Sequence, residues 1–300
     1  MMRDVIFVAA ASSALRAVLA APAQLAECLG VTRGALYLKI PRPPGVLVVL
    51  SRDAVRLPCG LVLPITSAEF PSFMILESYA RGSVHNSPGS WGIVVGNGAV
   101  SWTGAAGPVV VRAVREWVPA TPRQGSVAAG ALAAVQAGLR GAEPGIDRRL
   151  LADLALAAAD HDAATIAATS LLGAGPGLTP SGDDVLAGFL AGAAAFGIDA
   201  TALCEAIAVV APERTTALSA ALLWHAARGE CIDELAGLAV ALTSQRPGGA
   251  EQAGLAVSRL LSVGHTSGAA LALGLVTAAK TARRAQTSGR SPVCTSCIPG

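Results

Sequence analysis

Two adjacent carboxylates, Asp183 and Asp184, close the stretch in which potential chemistry is most concentrated: Gly173-Ala174-Gly175-Pro176-Gly177-Leu178-Thr179-Pro180-Ser181-Gly182-Asp183-Asp184. Its glycines and prolines oppose both helix and strand, so the backbone must turn with some N–H groups unpaired. The apolar run over residues 185–198 then reads as a buried helix. A glycine-rich loop feeding a helix start binds phosphate or carboxylate through free N–H groups and the helix dipole. That chemistry assigns Gly175, Gly177, Thr179, Ser181 and Gly182 to an anion. Asp183 and Asp184 would repel a naked anion, so they call for a partner: Mg²⁺ held by the pair, a substrate amide or amine, or an arginine from elsewhere. The plainer role is capping. Ser181 three residues before Asp184 has the form of a capping box, and Thr179-Pro180 is a rival start for the same helix. The loop has neither the Lys-Ser/Thr ending of a P-loop nor the spacing of a dinucleotide fingerprint.

Two further stretches carry related chemistry. Arg214-Thr215-Thr216-Ala217-Leu218-Ser219 continues to His225 and Glu230. Read as one helix, it places Arg214, Leu218, Ala221 and His225 on a single face, with Thr215 and Ser219 one step round. That face offers an arginine and hydroxyls to a phosphate or carboxylate. Against it, Ser and Thr also bond their own helix, and an arginine can snorkel to solvent. Gly264-His265-Thr266-Ser267-Gly268 opens the last long helix, where Thr266 or Ser267 would cap. His265 is either an acid or base or a packed side chain. All three stretches are small, hydroxyl-bearing interruptions in an apolar helical half, and they are expected to meet in one pocket.

Residues 175–184, followed by an apolar helix, resemble the signature of the AllH-type subunit of oxamate carbamoyltransferase, a bacterial family. Residues 214–219 and 264–268 agree with that family in kind and order, and the resemblance spans about residues 163–279. It implies carbamoyl transfer between oxalurate and phosphate, yielding oxamate and carbamoyl phosphate in purine (allantoin) nitrogen catabolism. It also implies partner subunits, one of them FdrA-like, and a small anionic substrate. Related sequences carry an acidic residue shortly after the last glycine. Here Ala269-Ala270 stand instead, which weakens a cation or carboxylate role at that end. Two other readings stay open: a non-catalytic scaffold whose loop seats a partner subunit, and a Mg²⁺-dependent phosphate-transfer enzyme. Acyl transfer to phosphate needs N–H donors for anion and oxyanion but no redox cofactor, and none is signalled.

The elements that must position these residues fall into two halves. A chain of 300 residues with 53% hydrophobic content can bury a large core, and its length fits two domains. From about residue 35 to 118 the texture is β. Short strands are predicted at 35–40, 46–51, 73–77, 91–96 and 109–113, with a turn at Gly96-Asn97-Gly98. Such spacing predicts a small barrel or sandwich, and residues 81–86 read as an exposed loop. Residues 119–124 read as a linker. Helices are predicted at 124–140, 147–159, 161–172, 183–196, 199–211, 213–228, 232–243, 249–262 and 267–284. The fold class is therefore α+β: a β-rich domain over 1–120 with a leading helix, an all-α domain over 121–284, and a disordered tail over 285–300.

Several partner classes are disfavoured. A formal net charge of +2 without a Lys/Arg cluster opposes nucleic acid, as does an aromatic content of 4%. The longest uncharged window, 260–279, is broken by Ser262, Gly264, His265, Thr266, Ser267 and Gly268, so no membrane span is predicted. The first 23 residues imitate a secretory signal. Asp4 and Arg16 oppose it, and residues 5–29 read instead as an amphipathic helix with Gln24 and Glu27 exposed. Of six cysteines, Cys294 and Cys297 have metal-like spacing but no second pair or histidine. The other four read as small buried hydrophobes of a reduced, cytoplasmic protein.

Overall fold

The computed structural model describes residues 5–73, 92–104, 107–157 and 160–287. Its internal contacts divide the chain into Met1–Pro119 and Ala120–Gly300.

The first unit is one nine-stranded sheet, built from β1 (Val5–Ser12), β2 (Gln24–Leu25), β3 (Glu27–Val31), β4 (Ala35–Lys39), β5 (Val46–Leu50), β6 (Gly60–Val62), β7 (Val94–Gly96), β8 (Ala99–Gly104) and β9 (Gly107–Trp117). Two short helices, α1 (Arg16–Ala20) and α2 (Phe70–Phe73), accompany it. The strand order is β2-β7-β8-β9-β1-β6-β5-β4-β3. The two outermost strands, β2 and β3, are separated in sequence by Ala26 alone, and the Ala26 N–H bonds Ile93 O at 2.9 Å. One residue spans less than 4 Å, so the sheet must curl until its edges nearly meet. The result is a nearly closed, barrel-like sheet in an α+β protein. Its interior is filled by Leu36, Leu38, Leu47, Val49, Leu61, Val95, Val100 and Val111, which the strand register places on one face and which are all buried. The turn between β7 and β8 has positive φ at both Asn97 and Gly98, the hairpin geometry that an Asn-Gly pair favours.

The leading helix expected over residues 5–29 is not formed. Residues 5–12 are β1, paired parallel to β9 and antiparallel to β6, while Gln24 and Glu27 lie in β2 and β3. An unbroken apolar run shows no period, so a central strand and a buried helix look alike in it. The expected strand at 109–113 extends to Trp117, because its pairing with β1 continues past a register shift at Ala9/Ala10 as far as Ser12; Arg112, Arg115 and Glu116 in it are exposed. Phe73 ends α2 rather than opening a strand. The remainder of 73–77, the loop 81–86, Asp4, Cys294 and Cys297 lie outside the described residues.

The second unit is helical: α3 (Ala129–Gly138), α4 (Leu150–Leu156), α5 (His161–Leu171), α6 (Ser181–Phe196), α7 (Thr201–Arg214), α8 (Ala217–Ala226), α9 (Asp233–Leu242), α10 (Gly249–Leu261) and α11 (Ser267–Thr287). Residues 285–287 belong to α11 rather than to a tail. The core of this unit is α6, which α11 packs along closely. A Cβ on Gly188 would overlap Leu271 O, and one on Gly274 would overlap Val185 O. The absence of side chains at these positions lets the two backbones touch. No helix among the described residues is long and apolar enough to cross a membrane.

Candidate functional site

The loop between α5 and α6 is shaped by its glycines and tied from within. Gly175 and Gly177 have φ of 115° and 97°, a region L side chains rarely adopt. Residues 175–178 are exposed, whereas Pro180 to Asp184 are buried. Pro180 is the N-cap of α6 and makes no side-chain cap hydrogen bond; its carbonyl receives the Asp183 and Asp184 N–H groups at 3.0 and 3.2 Å. Both capping schemes read from the sequence are therefore replaced. Ser181 is the first helical residue, and Pro180 stands one place before the position a proline usually takes. Gly182 is a packing residue: its N–H bonds Ala174 O at 2.8 Å, and a Cβ there would overlap Leu171 O. It leaves the anion-binding set for that reason.

The two carboxylates divide their roles. Asp183 Oδ1 accepts from the Gly173 N–H at 2.9 Å, and its Oδ2 accepts from the Thr215 hydroxyl. This aspartate fastens the start of the loop to the turn between α7 and α8. Burial raises its pKa, while Thr215, the Gly173 N–H and Ser219 oppose the rise. Asp184 is 6% exposed, and its Oδ2 has no hydrogen-bond partner among the described residues. Burial pushes the Asp184 carboxyl up to about 7; the Ser267 hydroxyl opposes this, the Asp183 charge adds to it, and the Thr179 hydroxyl again opposes. The dipole of α6 favours the charged form by about 0.3–1 kcal/mol, under one pKa unit, so burial outweighs it.

The three stretches singled out in the sequence come together here. Thr179 Oγ1 and Ser267 Oγ are 3.1 Å apart, and the Ser181 hydroxyl donates to Thr266 Oγ1 at 3.4 Å. The Thr216 hydroxyl donates to Leu178 O at 2.6 Å, and Ser219 Oγ lies 3.5 Å from the same carbonyl. The starts of α6, α8 and α11 thus meet at the loop, each bringing the positive end of a helix dipole. Among the described residues the Ser181, Ala217 and Leu218 N–H groups have no partner, nor do those of Gly175 and Gly177.

Other expected members stand apart. Residues 213–228 are not one helix: Thr215 is extended (φ −135°, ψ 178°), and Thr216 caps α8 by accepting the Ser219 N–H. Two β-branched residues that can cap, just after Pro212, favour ending one helix and starting another. Arg214 ends α7 exposed and donates to Thr169 O at 3.1 Å, away from the carboxylates. His265 is exposed on the turn before α11. His225 is fully buried, with Nδ1 2.6 Å from Glu230 Oε2, and forms a separate pair. Two contributors were not read from the sequence. The Leu178 carbonyl anchors α8, and the Gly145 turn passes close to Ser181, whose Oγ would lie 3.1 Å from a Cβ on Gly145. A carbonyl acceptor leaves no trace in residue identity; Gly145, with φ 69°, was the available signal.

The residues do not fit a protein-held Mg²⁺. Both Asp183 oxygens are engaged, Asp184 offers one free oxygen and is biased toward its neutral form, and a hard dication needs several ionised or carbonyl oxygens. Among the described residues no group of three or more His, Cys, Asp or Glu is placed to hold a metal.

Residues 171–279 match the family model described as oxamate carbamoyltransferase subunit AllH. The matched span runs from the last residue of α5 into α11, so it takes in all three stretches that meet at the loop. It supports the family that the loop signature resembles. No solved structure matches the chain.

Proposed function

We propose that this chain is a subunit of a cytoplasmic carbamoyltransferase that exchanges a carbamoyl group between oxalurate and phosphate, and that it works with FdrA-like and other subunits. The observation that carries the chemistry is Asp184 Oδ2, unpaired and buried where three helix starts meet. An orphaned buried acceptor costs about 1–3 kcal/mol, and a fold retains that cost most readily where a ligand relieves it. Free N–H groups at Gly175, Gly177, Ser181, Ala217 and Leu218 supply donors for phosphate oxygens or a substrate carboxylate.

In the forward direction a phosphate oxygen attacks the carbamoyl carbon of oxalurate, and the bond from that carbon to the amide nitrogen breaks. The phosphate proton must leave as the new C–O bond forms, and the departing nitrogen of oxamate must gain one. Asp184, held near neutrality by burial, takes the first and returns the second. The Ser267 and Thr179 hydroxyls favour its charged form and so moderate the rise that burial causes. Asp183 positions the loop through Gly173 and Thr215 and has no free oxygen for the reaction. Cys28, Cys59, Cys204 and Cys231 form no disulfide among the described residues, which accords with a reducing compartment.

The test is to assay oxamate and carbamoyl phosphate formation from oxalurate and phosphate with the chain alone and with its co-purified subunits. Formation that requires this chain and is lost in Asp184→Asn supports the assignment. Full activity of the other subunits without it reduces the chain to a scaffold.

A further inference from the structure

We propose that the site under the 173–182 loop selects a tetrahedral oxyanion that carries its own proton, a phosphate or phosphate monoester, over one that carries none. This rests on the anion site assigned above and narrows its ligand class. The reason lies in the division of donors and acceptors. The helix starts and the loop present unpaired backbone donors, the N–H groups of Gly175, Gly177, Ser181, Ala217 and Leu218. Phosphate and sulfate have the same shape and can satisfy those donors equally. The acceptor that answers them is Asp184 Oδ2, which is shielded from water and has no hydrogen-bond partner among the described residues.

An ionised Asp184 facing a bare sulfate oxygen sets lone pair against lone pair at low dielectric, with no proton between them. A monohydrogen phosphate places its P–O–H on the same oxygen and turns that repulsion into a charge-assisted hydrogen bond. Sulfate is accepted only when Asp184 has itself taken up a proton. The described charged groups around Asp184 add no positive charge to offset that repulsion. From α6 the charged neighbour is Asp183, which discourages a second charge; the loop and α11 contribute the Thr179 and Ser267 hydroxyls; and no cation among the described residues acts on the carboxyl. Arg214 points to Thr169 O, and His265 stands exposed on its turn. Discrimination must therefore depend on pH: present where Asp184 is ionised and fading as it protonates.

Titration calorimetry of the full-length chain with inorganic phosphate and with sulfate, at about pH 6 and about pH 8.5, reads this directly. The expected result is a preference for phosphate of at least about tenfold at the higher pH that shrinks at the lower one. Asp184→Asn, whose amide can donate to either anion, is expected to bind both with similar affinity at both pH values. Equal affinities in the wild type at the higher pH overturn the selection while leaving the anion site standing. Binding of neither anion removes the site itself. The wild-type comparison needs no variant, so it decides the matter even where the substitution impairs folding.

Discussion

Glycines crowd both the 173–182 loop and the crossing of α6 with α11, yet they do opposite work. In the crossing, Gly188 and Gly274 have ordinary helical backbones and no room: a Cβ on either overlaps a carbonyl of the facing helix. In the loop, Gly177 has open space around its missing Cβ and a φ of 97°. The crossing uses glycine for the absence of a side chain, and the loop uses it for backbone conformation. Gly173 shares both demands, with φ 74° and Arg214 O in the way. The close crossing holds α6 and α11 so that their first residues, Ser181 and Ser267, can frame an exposed loop.

The largest expected effect comes from breaking the crossing. Gly274→Val should lower stability by about 3 kcal/mol or more, because the overlap is with backbone that cannot rotate away. Chemical denaturation measures it; a change within experimental error would mean that the helices can part without loss.

The second effect has the opposite sign. Asp184 titrates near 7 in the fold and near 4 when unfolded, so the folded chain holds more protons between those values. Wild-type stability should therefore fall as pH rises from about 4 to about 7 and level off above, by an amount on the order of 2–4 kcal/mol. Asp184→Asn should flatten that slope and be the more stable protein at about pH 8, at the expense of function. Denaturation curves across pH settle it; parallel slopes in the two proteins would place Asp184 in water.

Smaller losses should follow in the loop. Asp183→Ala strands the Gly173 N–H and frees Thr215, for a loss of about 2 kcal/mol by denaturation. Gly177→Ala meets no neighbour and should lose only about 1 kcal/mol, from the positive φ. A loss at Gly177 as large as that at Gly274 would erase the distinction between the two regions.

Legibility in the sequence followed the same division. Helices α5, α6, α9, α10 and α11 were readable within a few residues because apolar runs bounded by Gly, Pro, Ser or Asp mark them. The meeting of the three helix starts was readable because each interrupts an apolar half with small hydroxyl residues. Which carboxylate is free was not, since Asp183 and Asp184 are adjacent and identical, and only the positions of Gly173 and Thr215 distinguish them. In the sheet, β1 was hidden by its alanine-rich apolar run, and β6 by having three residues. Curling of the sheet was legible only as a small barrel or sandwich, because nothing local reveals that β2 and β3 occupy opposite edges.

The most direct test is the rate of carbamoyl transfer by the co-purified complex carrying, in turn, wild-type chain, Asp183→Asn, Asp184→Asn and His265→Ala. A positioned proton carrier contributes roughly 10²–10⁴-fold, so Asp184→Asn should lose about that factor. Asp183→Asn, which can still accept the Gly173 N–H, should lose far less, and His265→Ala should match wild type. Loss of the rate in His265→Ala with the rate retained in Asp184→Asn would contradict the assignment of Asp184 as the proton carrier.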